Sequence, residues 1–176
     1  GIPKLVERLA PADQRTPAVL EAALADFKRD YGQHLRDTTA PYPGIPEMLA
    51  KLKANGVQLA VFSNKADALA KEVVKDYFGT QYFTIVRGQM TGVAPKPAAE
   101  GTNALLQALH ADPASTLYVG DSNVDVETAR NAGVDGAAVC WGFRTEDELR
   151  AAGATNLFHM PKQLGDYILG ISSEKR

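Results

Sequence analysis

Short apolar segments alternate with amphipathic helical patterns after Gly44, and this alternation constrains the fold most. Five segments read as strands, at residues 57–62, 83–87, 116–119, 136–141 and 156–158. Helical patterns separate them, as parallel strands require, because each connection must cross a face of the sheet before the next strand begins. The pattern therefore predicts an α/β fold in which helices cover both faces of a parallel sheet.

The first forty residues have a different character. Residues 3–38 carry helical patterns and no strand signal, and the run from Val19 to Tyr31 keeps the three-four spacing of an amphipathic helix. The segment 38–44, which contains two prolines and a glycine, is typical of a domain boundary. We therefore predict a helical part over residues 1–40 and an α/β part over residues 41–176.

Composition and charge exclude several classes of protein. Of the 176 residues 45% are hydrophobic, which favours a packed core, and the net charge of −2 leaves no basic footprint for nucleic acid. The apolar runs are too short to span a bilayer. Cys140 is the single cysteine, so no intramolecular disulfide can form, which fits a reducing compartment. We expect a cytoplasmic protein without nucleic-acid or membrane partners.

Dense polar clusters follow the predicted strands at the points where function is expected. In open parallel sheets ligands bind beyond the carboxyl ends of the strands, which meet at one edge. Ser63 and Asn64 follow the first strand, and Asp121 and Asp125 follow the third. Lys96 stands between two prolines before a helical segment. We expect these five residues to converge at one edge of the sheet.

Each cluster has a functional and a structural interpretation. Ser63 and Asn64 suit an anion site at a helix N-terminus, although both residue types also serve as ordinary N-caps. Asp121 and Asp125 offer the carboxylates that Mg²⁺ needs, with Asp121 the better direct ligand, although Asp also stabilises helix starts without metal. Lys96 would neutralise charge beside carboxylates and phosphate, whereas a lone lysine is more often an exposed loop residue.

Other reactive side chains carry weaker signals. The spacing of His34, His110 and His159 offers no metal site, and solvated positions are expected for them. Cys140 lies within a predicted strand and is interpreted as a core residue rather than a nucleophile. Arg144 follows the fourth strand, where it could approach the site or serve the loop.

Three of these clusters, taken in order, resemble the sequence motifs of a known superfamily. Ser63-Asn64, Lys96 and Gly120-Asp121-Ser122-x-x-Asp125 are similar to the second, third and fourth motifs of the haloacid dehalogenase superfamily. Softer similarity at Tyr42-Pro43-Gly44 and Trp141-Gly142-Phe143-Arg144 resembles bacterial phosphoglycolate phosphatases. The lysine motif departs mildly, reading Lys96-Pro97-Ala98-Ala99 where the family usually has Lys-Pro-x-Pro.

The resemblance implies a Rossmann-like core with a small helical cap, to which residues 1–40 would belong. It also implies hydrolysis of a small phosphomonoester through an aspartyl-phosphate with Mg²⁺ as cofactor, by a monomer or homodimer. Asp121 would be a metal ligand supported by Asp125. Ser63 and Asn64 would bind the phosphoryl group, and Lys96 would orient the nucleophile and stabilise the phosphoryl charge.

The nucleophile motif of the superfamily, Asp-x-Asp-x-Thr, does not occur in this sequence. In the family it lies on a central first strand, which we expect before Gly1, and this chain alone should not catalyse the reaction. The leading hypothesis is a phosphatase for 2-phosphoglycolate. The alternatives are another enzyme of the superfamily, such as a sugar-phosphate mutase or phosphatase or a pyrophosphatase, and a non-catalytic phosphate-binding module.

Overall fold

The computed structural model describes residues 2–34 and 36–174. The chain divides into two compact units, the first ending at Ala40 and the second beginning at Pro41. The two units are described in turn.

The first unit is helical. Helix α1 spans Ile2–Leu9, a 3-10 turn spans Ala12–Gln14, and helix α2 spans Pro17–Gln33. Helix α2 begins where the sequence provides an N-cap, because the Thr16 hydroxyl accepts a hydrogen bond from the Val19 N–H at 3.4 Å. The two helices pack together, and the Val6 side chain is buried. The helical prediction for this region agrees with these elements.

The second unit alternates helices and strands. Its helices are α3 (Ile45–Ala54), α4 (Asp67–Phe78), α5 (Glu100–Leu109), α6 (Asn123–Ala132), α7 (Glu146–Ala151) and α8 (Pro161–Glu174). Its strands are β1 (Leu59–Ala66), β2 (Phe83–Gln89), β3 (Leu117–Gly120), β4 (Asp135–Val139) and β5 (Leu157–Phe158). A 3-10 turn, Pro113–Ser115, precedes β3. The predicted α/β fold is confirmed.

All strand pairs in the described residues are parallel, as predicted, but they form two sheets instead of one. Strand β1 pairs with β2, and β4 lies between β3 and β5. In the part of the chain that the structure describes, β1 and β3 each pair on one side only. These are the strands whose carboxyl ends carry the polar clusters singled out from the sequence.

The core of the three-stranded sheet is covered on both faces. On one face Leu106 of α5 and Ala129 of α6 pack with Val134. On the other, Ala137 and Val139 of β4 pack with the fully buried Leu164 of α8. Successive β4 residues point to opposite faces, so the buried apolar run Ala137–Val139 is what this layered arrangement requires.

Glycines end several helices and so direct the chain into the next strand. Gly133 follows α6 in the left-handed conformation with φ 67°, and Gly56 follows α3 with φ 77°. These turns bring the chain from each helix into the following strand. Among the described residues, no helix has both the length and the apolar character needed to cross a membrane.

Candidate active site

Strand β1 does not end at Phe62 as predicted but continues irregularly to Ala66. Phe62 lies opposite Arg87 of β2, and Ala66 lies opposite Gln89, so two extra residues of β1 are accommodated between these pairs. Such bulges turn side chains away from the regular alternation and are common beside functional sites. Ser63 and Asn64 lie within this bulge, three to four residues before α4 begins, and are not the N-cap of that helix.

The side-chain amide of Asn64 holds the backbone of Lys96 at two points. Its Oδ1 accepts a hydrogen bond from the Lys96 N–H at 2.9 Å, and its Nδ2 donates to the Lys96 carbonyl at 3.2 Å. The amide is therefore used to fix the loop that carries the lysine, rather than being directed at a ligand. On the far side of this loop, Asn131 Nδ2 of α6 donates to the Pro97 carbonyl at 2.9 Å.

The Lys96 ammonium is paired and nearly buried. Its Nζ donates to Asp125 Oδ1 at 2.7 Å, and the two side chains are only 13% and 9% exposed. The rings of Phe62 and Tyr118 each lie 5.9 Å from Nζ, close enough for cation–π attraction. Desolvation makes this pair stronger than a surface ion pair, and the loss of either partner would leave a buried charge unpaired.

Tyr118 lines the same region from β3. Burial raises the pKa of its phenol well above the ordinary value, and the neighbouring Asp125 carboxylate adds to the increase. The phenol therefore stays neutral at physiological pH and contributes an aromatic wall beside the ammonium rather than a second negative charge.

The turn after β3 positions Asp125 through Ser122. The Ser122 hydroxyl donates to Asp125 Oδ2 at 2.6 Å, and Ser122 is also the N-cap of α6. Gly120 makes room for this arrangement, since a Cβ at that position would lie 2.2 Å from the Asp125 Cβ. Asp125 thus has one oxygen on Lys96 and the other on Ser122, which gives it a supporting role within the cluster.

Asp121 faces a different partner. Its Oδ2 accepts a hydrogen bond from the Phe143 N–H at 2.9 Å, in the loop after β4. A Cβ on Gly142 would lie 2.2 Å from that same oxygen, so only glycine permits this approach. Trp141 and Tyr42 line the adjoining cleft, in which Asp121 provides the carboxylate. Because Lys96 neutralises Asp125, Asp121 is the carboxylate of this turn that is available to a cation.

The donor set fits a magnesium ion at Asp121 rather than at Asp125. Mg²⁺ takes hard oxygen ligands and commonly uses one or two carboxylates together with waters and phosphate oxygens. Among the described residues, Oδ1 of Asp121 accepts no hydrogen bond, whereas both oxygens of Asp125 are engaged. The space left by Gly142 lets this carboxylate stand at the end of β3 without steric conflict.

The five residues predicted from the sequence are thus connected unequally. Hydrogen bonds join Asn64 to Lys96 and Lys96 to Asp125. Ser63 and Asp121 bond elsewhere: the Ser63 hydroxyl accepts from the Lys65 N–H at 3.1 Å, and Asp121 bonds to the Phe143 amide. Each is nevertheless next in sequence to a residue of the hydrogen-bonded network around Lys96. Ser63 precedes Asn64, and Asp121 precedes Ser122, which bonds to Asp125.

Sequence reasoning missed the contribution of the loop after β4. It weighed Arg144, which lies in the loop before α7 and whose guanidinium lies 3.3 Å from Glu148 in an exposed pair. The group that reaches the site is the backbone N–H of Phe143. A glycine directly before it, at the end of a strand, was the available signal.

Comparison with known proteins agrees with the predicted superfamily and fold. The model of the family described as haloacid dehalogenase-like hydrolase matches residues 4–139. A phosphoglycolate phosphatase of Aquifex aeolicus is 34% identical over 135 residues, covering 72% of this chain and 63% of the relative. One from Caulobacter vibrioides is 32% identical over 151 residues, covering 85% and 62%. The chain therefore spans less than two thirds of the length of these relatives.

Solved structures show the same architecture. A candidate phosphoglycolate phosphatase from Lactobacillus delbrueckii subsp. bulgaricus superposes with a TM-score of 0.84 at 33% identity, covering 90% of this chain and 66% of that one. A haloacid dehalogenase-like hydrolase from Streptococcus pneumoniae has a TM-score of 0.83 at 20% identity, covering 95% and 76%, and supports the fold alone. On the extent of the family match and the identity to these relatives, the chain belongs to the haloacid dehalogenase-like hydrolase family.

Proposed function

We propose that this chain forms the phosphate- and metal-binding part of a phosphatase that hydrolyses a small phosphomonoester, with 2-phosphoglycolate as the first candidate substrate. The observation that carries the proposal is the nearly buried Lys96–Asp125 pair, held by Asn64 and Ser122 at the carboxyl ends of β1 and β3. The curated relatives described as phosphoglycolate phosphatases support the choice of substrate.

The proposed mechanism divides the work among the chain's own residues. Ser63, in the bulge of β1, would donate its hydroxyl to a phosphoryl oxygen. Lys96 would place its ammonium beside the phosphoryl group and stabilise the negative charge of the transition state. Asp125 accepts a hydrogen bond from that ammonium and so directs it, and Asn64 fixes the position of the Lys96 backbone.

Asp121 would hold a magnesium ion, with the Phe143 N–H fixing one of its oxygens. The bound ion would supply Lewis-acid charge that offsets the negative charge of the phosphoryl group. The nucleophilic aspartate is proposed to come from a segment that these 176 residues do not contain, so the isolated chain is expected to bind ligands without turnover.

We also propose a cytoplasmic location and a monomeric or homodimeric state. The single cysteine and the absence of any possible intramolecular disulfide support a reducing compartment. The division at Ala40 supports the proposal that residues 1–40 form part of a cap, distinct from a core over residues 41–176.

The natural gene product that contains this sequence provides the test. Phosphate release would be measured with 2-phosphoglycolate, a hexose phosphate and pyrophosphate, each with and without Mg²⁺. We expect magnesium-dependent release, fastest with 2-phosphoglycolate. Faster release from one of the other two compounds would show that 2-phosphoglycolate is not the preferred substrate. A lack of release from all three would refute the enzyme proposal in favour of a binding module.

The Asp121→Asn variant of the same protein tests the metal assignment. It should lose at least about 100-fold in turnover and bind Mg²⁺ more weakly, since a neutral amide replaces the carboxylate that faces the ion. Circular dichroism should remain unchanged, because the Phe143 N–H can still donate to the amide oxygen. Full activity in this variant would show that Asp121 is not the ligand.

A further inference from the structure

Three potential metal ligands from different elements lie together near the carboxyl ends of β4 and β5. Cys140 directly follows β4, His159 directly follows β5, and Glu146 is the first residue of α7. One ligand atom from each, the thiol sulfur, an imidazole nitrogen and a carboxylate oxygen, lies within 4.8 Å of the other two. The histidine spacing in the sequence indicated no metal site, so this cluster is a property of the fold.

Backbone contacts fix two members of the cluster in register. The Cys140 N–H donates to the Phe158 carbonyl at 2.9 Å, which extends the β4–β5 ladder and places Cys140 beside the residue that follows Phe158. That residue is His159, whose own N–H donates to Gln163 Oε1 at 3.1 Å. The sulfur and the imidazole are therefore held near each other by main-chain geometry.

The carboxylate of Glu146 is oriented by an outer partner. Its Oε1 lies 2.6 Å from Nη2 of Arg150, one turn further along α7, and its Oε2 lies 3.4 Å from Nε2 of His159. Two ligands at zinc distances of about 2.0–2.1 Å in tetrahedral geometry are separated by about 3.4 Å. The imidazole nitrogen and the carboxylate oxygen are thus already spaced as two ligands of one ion. Outer partners such as Arg150 commonly orient metal-binding groups.

We propose that Cys140, Glu146 and His159 bind a zinc ion, with a water in the fourth position. A thiolate with an imidazole is a donor set that suits Zn²⁺ and does not suit Mg²⁺, whereas the Asp121 carboxylate is a hard oxygen donor. Cys140 is half-buried, and the side chains of Glu146 and His159 are 35% and 58% exposed, so the ion can enter from solvent.

A bound zinc ion would tie together both ends of the loop that supports Asp121. Cys140 and Glu146 bracket residues 141–145, and the Phe143 N–H within that segment donates to Asp121. Zinc would therefore restrict this loop at both of its ends. The zinc site itself does not depend on the proposed phosphatase activity.

The test uses the 176-residue chain with no ligand other than the added metal. Zinc affinity and stoichiometry would be measured in a competition titration against a chromophoric chelator. In a second experiment Co²⁺ would replace zinc, because the absorption spectrum of bound Co²⁺ reports the type and geometry of its ligands. We expect one equivalent to bind, with the visible bands of tetrahedral cobalt and a sulfur-to-cobalt charge-transfer band. Because Cys140 is the single cysteine, that band can come from no other residue.

Variants distinguish the site from incidental surface binding. Cys140→Ser should abolish the charge-transfer band, and both Cys140→Ser and His159→Gln should weaken zinc binding at least about tenfold. The matched control is His110→Gln, at the end of α5, which should leave affinity and spectrum unchanged. Binding that persists in both ligand variants, or a cobalt complex without the sulfur band, would overturn the proposal.

Discussion

At the scale of single residues, the Lys96–Asp125 pair differs from the other ion pairs in its burial rather than in its length. Lys51 and Asp166 are also 2.7 Å apart, yet those side chains are 52% and 44% exposed. Lys96 and Asp125 are 13% and 9% exposed. Water screens the exposed Lys51–Asp166 pair but has little access to the Lys96–Asp125 pair. Although the two distances are equal, breaking the buried pair should therefore cost more stability than breaking the exposed one.

Replacing Lys96 with methionine tests this difference. The variant leaves the Asp125 carboxylate buried beside Ser122 alone, so the free energy of unfolding should fall by about 3 kcal/mol. Urea unfolding of the chain, followed by circular dichroism, would measure it. Lys51→Met is the matched control and should change the midpoint little, because Lys162 still pairs with Asp166. Equal losses in the two variants would contradict the argument from burial.

At the scale of elements, Asp166 joins two helices that cover the same face of the sheet. Its carboxylate accepts from Lys162 within α8 at 2.6 Å and from Lys51 of α3 at 2.7 Å. These hydrogen bonds, with that of Lys162 the larger cause, lower the pKa of Asp166 to about 2. Protonation of this one group therefore weakens both the turn of α8 and its contact with α3.

The sign of the pH effect follows from the direction of that shift. A folded-state pKa below the ordinary value near 4 means that the contribution of Asp166 is complete above about pH 4 and lost as pH falls through about 2. Asp166→Asn should lower the melting temperature at about pH 6, and the difference from the unsubstituted chain should shrink as the pH falls through about 2. High salt should reduce the difference. The control, Asp13→Asn in the exposed 3-10 turn, should show no such convergence.

The sequence predicted most elements because their periodicities are local. The predicted strand at 83–87 begins at Phe83, as β2 does. Helix α7 begins at a capping box in which Thr145 and Glu148 exchange hydrogen bonds, a signal that lies within four residues. The end of β1 was misplaced, because the bulge between Phe62 and Ala66 depends on pairing with β2 and has no signature within β1 itself. Local patterns thus located the strand and not its irregular continuation.

At the scale of the whole molecule, strand pairing is uneven across the second unit. Strand β4 has neighbours on both edges, whereas β1 and β3 are paired on one edge among the described residues. In a parallel strand the N–H groups point alternately to the two sides, so a strand paired on one edge leaves about half of its amides without a strand partner. Local stability should follow that difference.

Hydrogen exchange of the chain, read by mass spectrometry, would test this ordering. Peptides covering β4 should exchange slowest, and those covering β1 and β3 should exchange faster at the same pH and temperature. Peptides from the exposed 3-10 turn Ala12–Gln14 provide the fast reference. Protection of β1 or β3 equal to that of β4 would show that pairing on one edge does not limit their stability.

The two sites differ in how far sequence could anticipate them. Asp125 was predicted to lie at the functional edge of the sheet because it follows a strand, and Lys96, which precedes a helical segment, was expected to converge with it there. Cys140, Glu146 and His159 could not be predicted to meet, because their proximity depends on the register of β4 against β5 and on the direction of α7. Sequence can predict that strand ends meet at one edge of a parallel sheet. It cannot predict which side-chain atoms come within ligand distance of one another.

The two hydrogen bonds between the Asn64 side chain and the main chain of Lys96 limit which residues can replace Asn64. A primary amide presents a donor and an acceptor side by side, matching the two complementary groups of a single residue's main chain. Aspartate would turn one attraction into repulsion, and leucine would satisfy neither group. In related sequences that retain a lysine at position 96, position 64 should therefore accept hardly any side chain other than asparagine.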